Sequence, residues 1–378
     1  MTDWNEWRSP ISGAPLHSDA AHSLSDGAQR WPVVEGIPFL RANRRDLAEA
    51  ALHALDDGNS FEATILLLAD QDDWARSPPP SEDARRHLVR QAESLSFRAA
   101  MDLLAFGPVA TYFAHRWSDP TFLSGLALAE AHMGDGPVFE LACGVGHYLR
   151  EFARVSPKPA GADIVFAKLW LARRYIAPTA TLVCFDAAEP WPVPDNAART
   201  VFCHDAFYFL PNKPHIANEM RRVATGPILV GHAHNALTDN LSAGSPLSPT
   251  GYAALFGTPL LYDDRELTAA LVDCRAPRSA AADQLANAPA ISLAANAAPA
   301  LPVAAGLAMP PQGARLRRNP LYGGMTIRWP SLRYQAEYAA LATYPAEPTG
   351  PLDATAGQSC ETDALARRRV LLDLPARW

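Results

Sequence analysis

The sequence has few of the features that mark exported or membrane proteins. It contains only five cysteines, an odd number, and no two of them form a C-x-x-C pair. Scattered cysteines of this kind are expected to be reduced thiols, which excludes a disulfide framework as the basis of the fold. The opening residues MTDWNEWRSP lack a cationic segment followed by an apolar one, and no run of 18 apolar residues occurs. We therefore expect a cytoplasmic protein without a membrane span.

The sequence also lacks an excess of positive charge. Its formal net charge is −7, and charged residues make up 19% of the 378 positions. Such a chain has no basic field that would attract a polyanion, so DNA and large RNA are disfavoured as substrates. A small organic substrate fits this composition better, whereas the oligomeric state cannot be inferred from it.

A third absence concerns nucleotide binding. Residues 138–147 read Val-Phe-Glu-Leu-Ala-Cys-Gly-Val-Gly-His, which predicts a strand, a glycine turn and the start of a helix. Gly144 and Gly146 carry no Cβ and let the backbone approach a ligand closely. The third glycine of the phosphate-binding fingerprint is missing, which argues against a dinucleotide because no pyrophosphate needs a cradle of backbone N–H groups.

Acidic residues recur at the ends of the predicted strands. Strand-like and helix-like segments alternate over residues 137–275, which predicts a parallel sheet with right-handed crossovers. Glu140 lies on the first strand, Asp163 ends the second, and Asp186 follows the third. Open α/β sheets bind ligands at the carboxyl ends of their strands, so these three carboxylates can face one bound molecule.

With this acidic series, residues 137–235 resemble the class I S-adenosylmethionine (SAM)-dependent methyltransferases, in particular the ubiquinone/menaquinone-type small-molecule enzymes. The resemblance implies an α/β, Rossmann-like fold, a mostly parallel sheet with helices on both faces, and SAM as cofactor. It also implies that Glu140 helps to bind the methionyl ammonium and that Asp163 accepts from both ribose hydroxyls. Asp186 would accept from the adenine amino group. The other cofactor-contacting residues implied are Ala142, Gly144, Gly146, Ala187 and His204.

Histidines follow the next two predicted strands, in Cys203-His-Asp205 and in Gly231-His-Ala-His-Asn235. These strands are neighbours in the methyltransferase sheet order, so His204, His232 and His234 are our candidate catalytic residues near the transferred methyl group. Three interpretations remain open: a general base, a metal held by two or more of these side chains, and ordinary hydrogen-bonding histidines. We assign no metal ligand. The Asn/Asp-Pro-Pro-aromatic motif is missing, which disfavours methylation of DNA or glutamine.

The chain extends the predicted methyltransferase domain on both sides. Residues 1–45 resemble a small zinc-ribbon family that activates some methyltransferases, through Ser9-Pro-Ile-Ser12 and Trp31-Pro-Val-Val-Glu-Gly-Ile-Pro38. Ser9 and Ser12 stand where that family has thiolates, and the second cysteine pair is missing. Serine cannot replace a thiolate as a zinc ligand, so this β unit is expected to fold without metal. An ordinary β-hairpin extension is the alternative.

The remaining boundaries follow from the spacing of apolar residues. Residues 46–135 have helical spacing and predict a cap or lid, in which Tyr112, His115, Arg116 and Trp117 either cover the ligand or belong to the core. Residues 136–300 form the predicted SAM-binding domain, including a late strand at 290–294. Residues 301–378 form a C-terminal extension of unassigned role, with a hairpin expected around Gly323-Gly324.

The sequence thus predicts a SAM-dependent methyltransferase acting on a small organic acceptor. Two alternatives remain: a non-catalytic SAM-binding or scaffold protein, and SAM-dependent chemistry other than methyl transfer. The intact glycine turn and the three strand-end carboxylates favour an enzyme, since a non-catalytic relative would have less need to keep them.

Overall fold

The computed structural model describes residues 6–378, apart from residues 73–74, 76–77, 241–243, 304–305 and 325. None of the helices in these described ranges is long and apolar enough to cross a membrane. Their cysteines are all free, and three of the five are buried.

The N-terminal unit is a four-stranded antiparallel sheet in chain order. Its strands are β1 (His17–Ala20), β2 (Ser23–Ser25), β3 (Arg30–Val34) and β4 (Ile37–Pro38). A tight turn at Glu35 and Gly36, both with positive φ, joins the last two strands. Beyond β4 the chain runs beside the central sheet, where Phe39 forms a parallel bridge with Cys184 and the Leu40 N–H donates to the Cys184 carbonyl at 2.7 Å.

Among the described residues up to the central sheet, six α-helices follow, and we refer to them together as the cap. They are α1 (Arg45–Asp56), α2 (Ser60–Leu67), α3 (Glu82–Gln91), α4 (Phe97–Leu103), α5 (Pro108–His115) and α6 (Pro120–His132). The last of these is rich in apolar residues and is almost entirely buried. It begins where Asp119 accepts from the Thr121 N–H at 2.7 Å, and Pro120 occupies a first-turn position that suits proline.

The central sheet has seven strands in the order β10-β11-β9-β8-β5-β6-β7. Their bounds are β5 (Val138–Leu141), β6 (Ala160–Asp163), β7 (Thr181–Cys184), β8 (Thr200–His204), β9 (Ile228–His234), β10 (Leu260–Asp263) and β11 (Ala290–Ala295). Strands β5 to β9 pair in parallel, whereas β11 runs antiparallel to both of its neighbours. The predicted Rossmann-like fold and the predicted late strand are confirmed.

Helices cover both faces of this sheet. They include α7 (His147–Phe152), α8 (Phe166–Leu171), α9 (Lys213–Val223), α10 (Pro249–Phe256) and α11 (Asp264–Val272). One apolar core lies between the sheet and the cap helices, and a second lies between the sheet, the N-terminal unit, α9 and α10. The central strands are buried on both faces, which explains why they read as continuous apolar runs rather than as alternating patterns.

The C-terminal segment forms a small layer against the cap. It contains β12 (Arg315–Arg318), α12 (Leu332–Tyr338), β13 (Asp353–Thr355), α13 (Cys360–Arg367) and β14 (Leu371–Leu372), with strand order β13-β12-β14. Tyr322 and Ile327 form an antiparallel bridge around the predicted Gly323-Gly324 hairpin; Met325 lies outside the described residues. Hydrogen bonds fix this segment to the cap: Ser118 Oγ donates to Asn319 Oδ1 at 2.9 Å, and Trp378 Nε1 donates to the Ala114 carbonyl at 2.6 Å.

Candidate active site

A cavity of about 1800 Å³ opens at the carboxyl ends of the parallel strands. Its wall includes residues from the cap, from the strand ends and from α12 of the C-terminal segment. Nearly all of the predicted site residues line it: Glu140, Ala142, Gly144, Asp163, Asp186, Ala187, His204, His232 and His234. The topology therefore brings together side chains that are up to 94 positions apart in the sequence, from Glu140 to His234.

The glycine turn follows β5 and bends sharply into the cavity wall. Ala142 and Gly144 both have positive φ, 54° and 56°. Gly146 (φ 86°) does not line the cavity, which differs from its predicted contact with the cofactor. A Cβ at Gly146 would lie 3.1 Å from the Ala172 Cβ, so this glycine lets the turn pack against the next helical segment.

Asp163 lies beside the glycine turn with both carboxylate oxygens engaged. Oδ2 accepts from the Gly144 N–H at 3.0 Å, and Oδ1 accepts from the Val165 N–H at 3.0 Å. The Lys168 ammonium approaches Oδ1 at 3.3 Å. These donors fix the carboxylate at the cavity wall, and each oxygen can accept more than one hydrogen bond.

Asp186 is held by the segment that follows the N-terminal sheet. Asn43 Nδ2 donates to Asp186 Oδ2 at 2.9 Å, and the Ala188 N–H donates to Oδ1 at 2.9 Å. This end of the cavity thus depends on a residue that precedes the methyltransferase-like stretch by almost a hundred positions.

Glu140 is a buried acid with one unpartnered oxygen. Its side chain is 3% exposed, and its Oε2 has no hydrogen-bond partner among the described residues. Burial raises the pKa of Glu140 well above its usual range, even though the Arg116 guanidinium opposes the shift. A buried carboxyl oxygen that lacks a partner is costly unless a ligand supplies one.

His204 is wedged at the centre of the site. Gly125 of α6 and Gly231 of β9 leave room for its ring, because a Cβ at either position would collide with it. An Arg116 N–H donates to His204 Nδ1 at 3.1 Å, so the ring proton is on Nε2 and no basic nitrogen remains free. Burial and the adjacent guanidinium lower the pKa of His204 well below its usual range.

His232 is oriented differently, by a carboxylate on the neighbouring helix. Its Nδ1–H donates to Asp264 Oδ2 at 2.6 Å, and Asp264 also accepts from Ser292 Oγ at 2.6 Å and from Ser124 Oγ at 3.2 Å. His232 Nε2 lies on the cavity side, 3.9 Å from Asp205 Oδ1. Burial lowers the pKa of His232, but Asp205 and Asp264 outweigh it and raise the value to about 9.

Asp205 carries charge at the centre of a buried polar network. Tyr112 and Tyr208 donate their hydroxyls to its two oxygens at 2.7 and 3.0 Å, and Arg116 approaches at 3.4 Å. Burial opposes ionisation, but the pKa of Asp205 is held low by His232 and Arg116. Arg116 is itself buried and paired with Asp119 at 2.8 Å.

His234 completes the histidine cluster. Its ring centroid lies 5.1 Å from that of His232 and 4.3 Å from that of Tyr208. Burial and the nearby His232 lower the pKa of His234 to about 4, and its Nδ1 has no partner among the described residues. Asn235 points away, because successive side chains alternate along a strand, and it donates to three backbone carbonyls.

Several functional side chains were not identified from the sequence as site residues. Asp264 begins α11 directly after Asp263, which accepts from the Arg265 N–H, so the sequence pattern reads only as a helix start. Arg116, predicted to cover the ligand or to belong to the core, is buried, lines the cavity and is the cation of the buried network. Among the aromatic residues near β8, Tyr208 and Phe209 line the cavity, whereas Trp191 and Phe207 belong to the core.

Comparison with known proteins identifies the domain that contains this site. Residues 138–225 match the model of a family described as a methyltransferase domain. No curated protein matches the chain.

Solved structures with a similar chain course include a candidate methyltransferase of Bacillus halodurans (21% identity, TM-score 0.32), of which this chain covers 66% with 35% of its own length. Another is the complex of the Haloferax volcanii methyltransferase activator Trm112 with its candidate methyltransferase (17%, TM-score 0.37; 92% of that chain and 50% of this one). A third is an S-adenosylmethionine-dependent methyltransferase of Mesorhizobium loti (13%, TM-score 0.24; 47% and 27%). The chain thus spans less than two thirds of the first and third of these structures.

The matched segment runs from β5 through the glycine turn, Asp163 and Asp186 to the end of α9. It contains every predicted cofactor residue, whereas His232 and His234 lie beyond it. Residues 138–225 of the chain therefore form a methyltransferase domain.

Proposed function

We propose that this protein transfers the methyl group of SAM to a small organic acceptor, with His232 as the general base. The observation that carries the proposal is the Asp264–His232 pair: a carboxylate fixes one ring nitrogen at 2.6 Å and leaves the other nitrogen on the cavity side. This is the arrangement of a base held in one tautomer by an orienting acid.

The residues at the other end of the cavity fit SAM. The unpartnered Oε2 of Glu140 suits a methionyl ammonium, and the positive charge of that group would stabilise the ionised carboxylate. Asp163 and Asp186 would hold ribose and adenine hydrogen-bond donors, beside Ala142, Gly144 and Ala187. When bound, SAM supplies an electrophilic methyl group that is already activated by the sulfonium charge.

In the proposed reaction the chain orients the acceptor and takes up its proton. The Nδ1–H bond to Asp264 leaves a lone pair on the Nε2 of neutral His232, which can accept a proton from the acceptor. Asp264 then stabilises the imidazolium that forms. Asp205, with Arg116 and two tyrosine hydroxyls, forms a fixed polar wall that needs little rearrangement during the reaction.

His204 has a supporting role in this proposal, not that of the base. Its Nδ1 is occupied by Arg116 and its ring is packed between two glycines. His204 therefore helps to hold the Arg116 guanidinium near Asp205, while His232 accepts the proton of the acceptor.

A direct test is to incubate the protein with SAM and a metabolite extract and to follow the release of S-adenosylhomocysteine. We expect SAM-dependent appearance of a product that is one methylene group heavier than its precursor. Consumption of SAM without any methylated product would favour a different SAM-dependent chemistry. Binding of SAM without turnover of any extract would favour a non-catalytic SAM-binding protein.

A metal-assisted version is the second candidate, because Asp205, His232 and His234 offer ligand atoms that all lie within 4.8 Å of one another. Two imidazoles and a carboxylate suit a first-row divalent ion. In that case a chelator should abolish turnover and a divalent ion should restore it, whereas activity that survives chelation supports the base.

A further inference from the structure

The chain passes beside the end of the cavity that fits SAM long before the methyltransferase domain begins. Phe39 forms a parallel bridge with Cys184, the last residue of β7, and the Leu40 N–H donates to the Cys184 carbonyl at 2.7 Å. Because the two segments are parallel here, the residues after Leu40 accompany those after Cys184. Asn43 thereby comes beside Asp186, and its Nδ2 donates to Asp186 Oδ2 at 2.9 Å.

Asn43 orients Asp186 without being a cavity residue itself. Asp186 lines the cavity, whereas Asn43 does not. The other carboxylate oxygen, Oδ1, accepts from the Ala188 N–H at 2.9 Å. Each oxygen can accept more than one hydrogen bond, so the two donors fix the plane of the carboxylate and leave it able to accept from a ligand.

A buried ion pair holds this part of the chain in place. The Arg41 guanidinium lies 2.6 Å from Asp70 Oδ2, with both side chains 1% exposed, and it also donates to the Gln71 carbonyl at 3.2 Å. Breaking a buried ion pair leaves an uncompensated charge and is strongly unfavourable. The Asn43 side chain is exposed, but the backbone two positions before it is therefore anchored firmly.

A second carboxylate at this end is connected to the same part of the chain. The Lys168 ammonium lies 3.3 Å from Asp163 Oδ1 and 3.6 Å from Asp72 Oδ2. Asp72 directly follows Gln71, whose carbonyl accepts from Arg41. Two of the three strand-end acids thus contact the N-terminal part of the chain, one of them directly and the other through a lysine.

We propose that Asn43 is a positioning residue for the cofactor, because it fixes Asp186 so that this carboxylate accepts a hydrogen bond from the adenine amino group. This inference rests on the proposed function, in which SAM occupies this end of the cavity. The N-terminal part of the chain is then a component of the cofactor site, although the residues that contact the cofactor belong to the methyltransferase domain. Residues 138–225 alone would lack this donor.

The test compares two ligands that differ in one group: S-adenosylhomocysteine and its 6-deamino analogue, in which a hydrogen atom replaces the adenine amino group. Calorimetry on the full-length protein measures both affinities. The parent protein should bind S-adenosylhomocysteine at least about tenfold more tightly than the analogue, because hydrogen bonds to charged groups are the stronger ones. Asn43→Ala should lower the affinity for S-adenosylhomocysteine about three- to tenfold and change that for the analogue by less than about twofold, since the analogue gives Asp186 no amino group to accept from.

Two further variants complete the set. Asn43→Asp replaces the donor by a second carboxylate beside Asp186, and it should lower the affinity for S-adenosylhomocysteine at least as much as Asn43→Ala does. Asp46→Ala is the matched control, because Asp46 is exposed three positions further along the chain and does not line the cavity. It should leave both affinities unchanged.

An equal loss of affinity for the two ligands in Asn43→Ala would indicate a general structural effect rather than a role toward the amino group, and it would overturn the inference. Unchanged affinity of Asn43→Ala for S-adenosylhomocysteine would overturn it too, as would a parent protein that does not distinguish the two ligands. Failure of the parent protein to bind either ligand would instead overturn the proposed function, which assigns this end of the cavity to SAM.

Discussion

The two ends of the cavity are built in different ways. The cofactor end comes from one continuous stretch, in which β5, β6 and β7 are each followed by a residue of the site within the segment 138–187. The acceptor end draws on α5, β8, β9, α11 and α12, which are spread over more than 220 positions. A local motif can therefore define what holds the cofactor, whereas the acceptor site exists only once distant parts of the chain have packed together.

The largest expected effect lies at the acceptor end. His232→Ala should lower turnover on the order of 10²–10⁴-fold, the usual size of general base catalysis, and should leave SAM affinity unchanged. Single-turnover rates and calorimetry measure the two quantities separately. Asp264→Asn should also slow turnover, by a smaller factor, because it removes the charge that orients the ring.

His87→Ala is the matched control, because His87 is exposed on α3 and lies away from the cavity. It should behave as the parent protein does. A His232→Ala variant with full turnover would refute His232 as the base. If His232→Ala also lost its affinity for SAM, the two ends of the cavity would not be separable as described.

At the cofactor end, a substitution should instead lower the affinity for SAM. Asp163→Ala should weaken SAM binding by roughly 1–3 kcal/mol, because the ribose would lose a hydrogen-bonded carboxylate. Calorimetry on the parent, on Asp163→Ala and on the exposed-site control Asp135→Ala measures the difference. Unchanged affinity in Asp163→Ala would remove the assignment of Asp163 to the cofactor.

The pH dependence of kcat/KM tests the role of His232 at the acceptor end. Because Asp205 and Asp264 raise the pKa of His232 to about 9, the ring is protonated at neutral pH, and a base must be neutral. We expect kcat/KM to rise with pH up to about that value. Asp205→Asn removes one of the two carboxylates and should shift the rising limb to lower pH, whereas Glu347→Gln, on an exposed loop, should not. A profile that falls as pH rises from 7 to 9 would contradict this assignment.

The smallest expected effect concerns the N-terminal unit. The Asp26 carboxylate accepts from Ser12 Oγ at 2.7 Å and from the Gln29 N–H at 2.7 Å, which ties together the turns where the resembling family holds zinc. The Ser12 hydroxyl and these backbone donors lower the pKa of Asp26. A lowered pKa stabilises the fold above the unfolded-state value near 4, and this contribution is lost as pH falls.

Asp26→Ala should therefore lower Tm by a few degrees at pH 7 and by less as the pH falls below about 4. Asp57→Ala, an exposed position without such bonds, is the control. Elemental analysis of untagged protein should find no stoichiometric zinc; one zinc ion per chain bound by residues 1–45 would show that its ligands had been misread.

The different construction of the two cavity ends explains which site residues could be predicted from the sequence. The strand-end positions of Glu140, Asp163 and Asp186 could be predicted because each follows a buried apolar run within one repeating β–α pattern. Neighbouring parallel strands likewise bring His204 beside Gly231, so the histidine cluster was foreseeable. The hydrogen-bond partners of these histidines could not be predicted, because Asp264 and Arg116 approach from helical segments whose packing no local sequence pattern specifies.

The same limit separates His204 from His232. Both are histidines at strand ends, and no sequence pattern distinguishes their roles. The structure distinguishes them through the group bound at Nδ1: a guanidinium that must donate in one case and a carboxylate that must accept in the other. The roles proposed for the three histidines therefore depend on tertiary contacts.

The bridge between Phe39 and Cys184 also affects how this domain can associate with other chains. Strand β7 lies at the margin of the central sheet, and an open margin is where a foreign strand can add itself. Here the chain's own residues 39–40 take the hydrogen bonds beside Cys184. An activator supplied as a separate polypeptide would have to displace this intramolecular pairing before it could dock on the same edge.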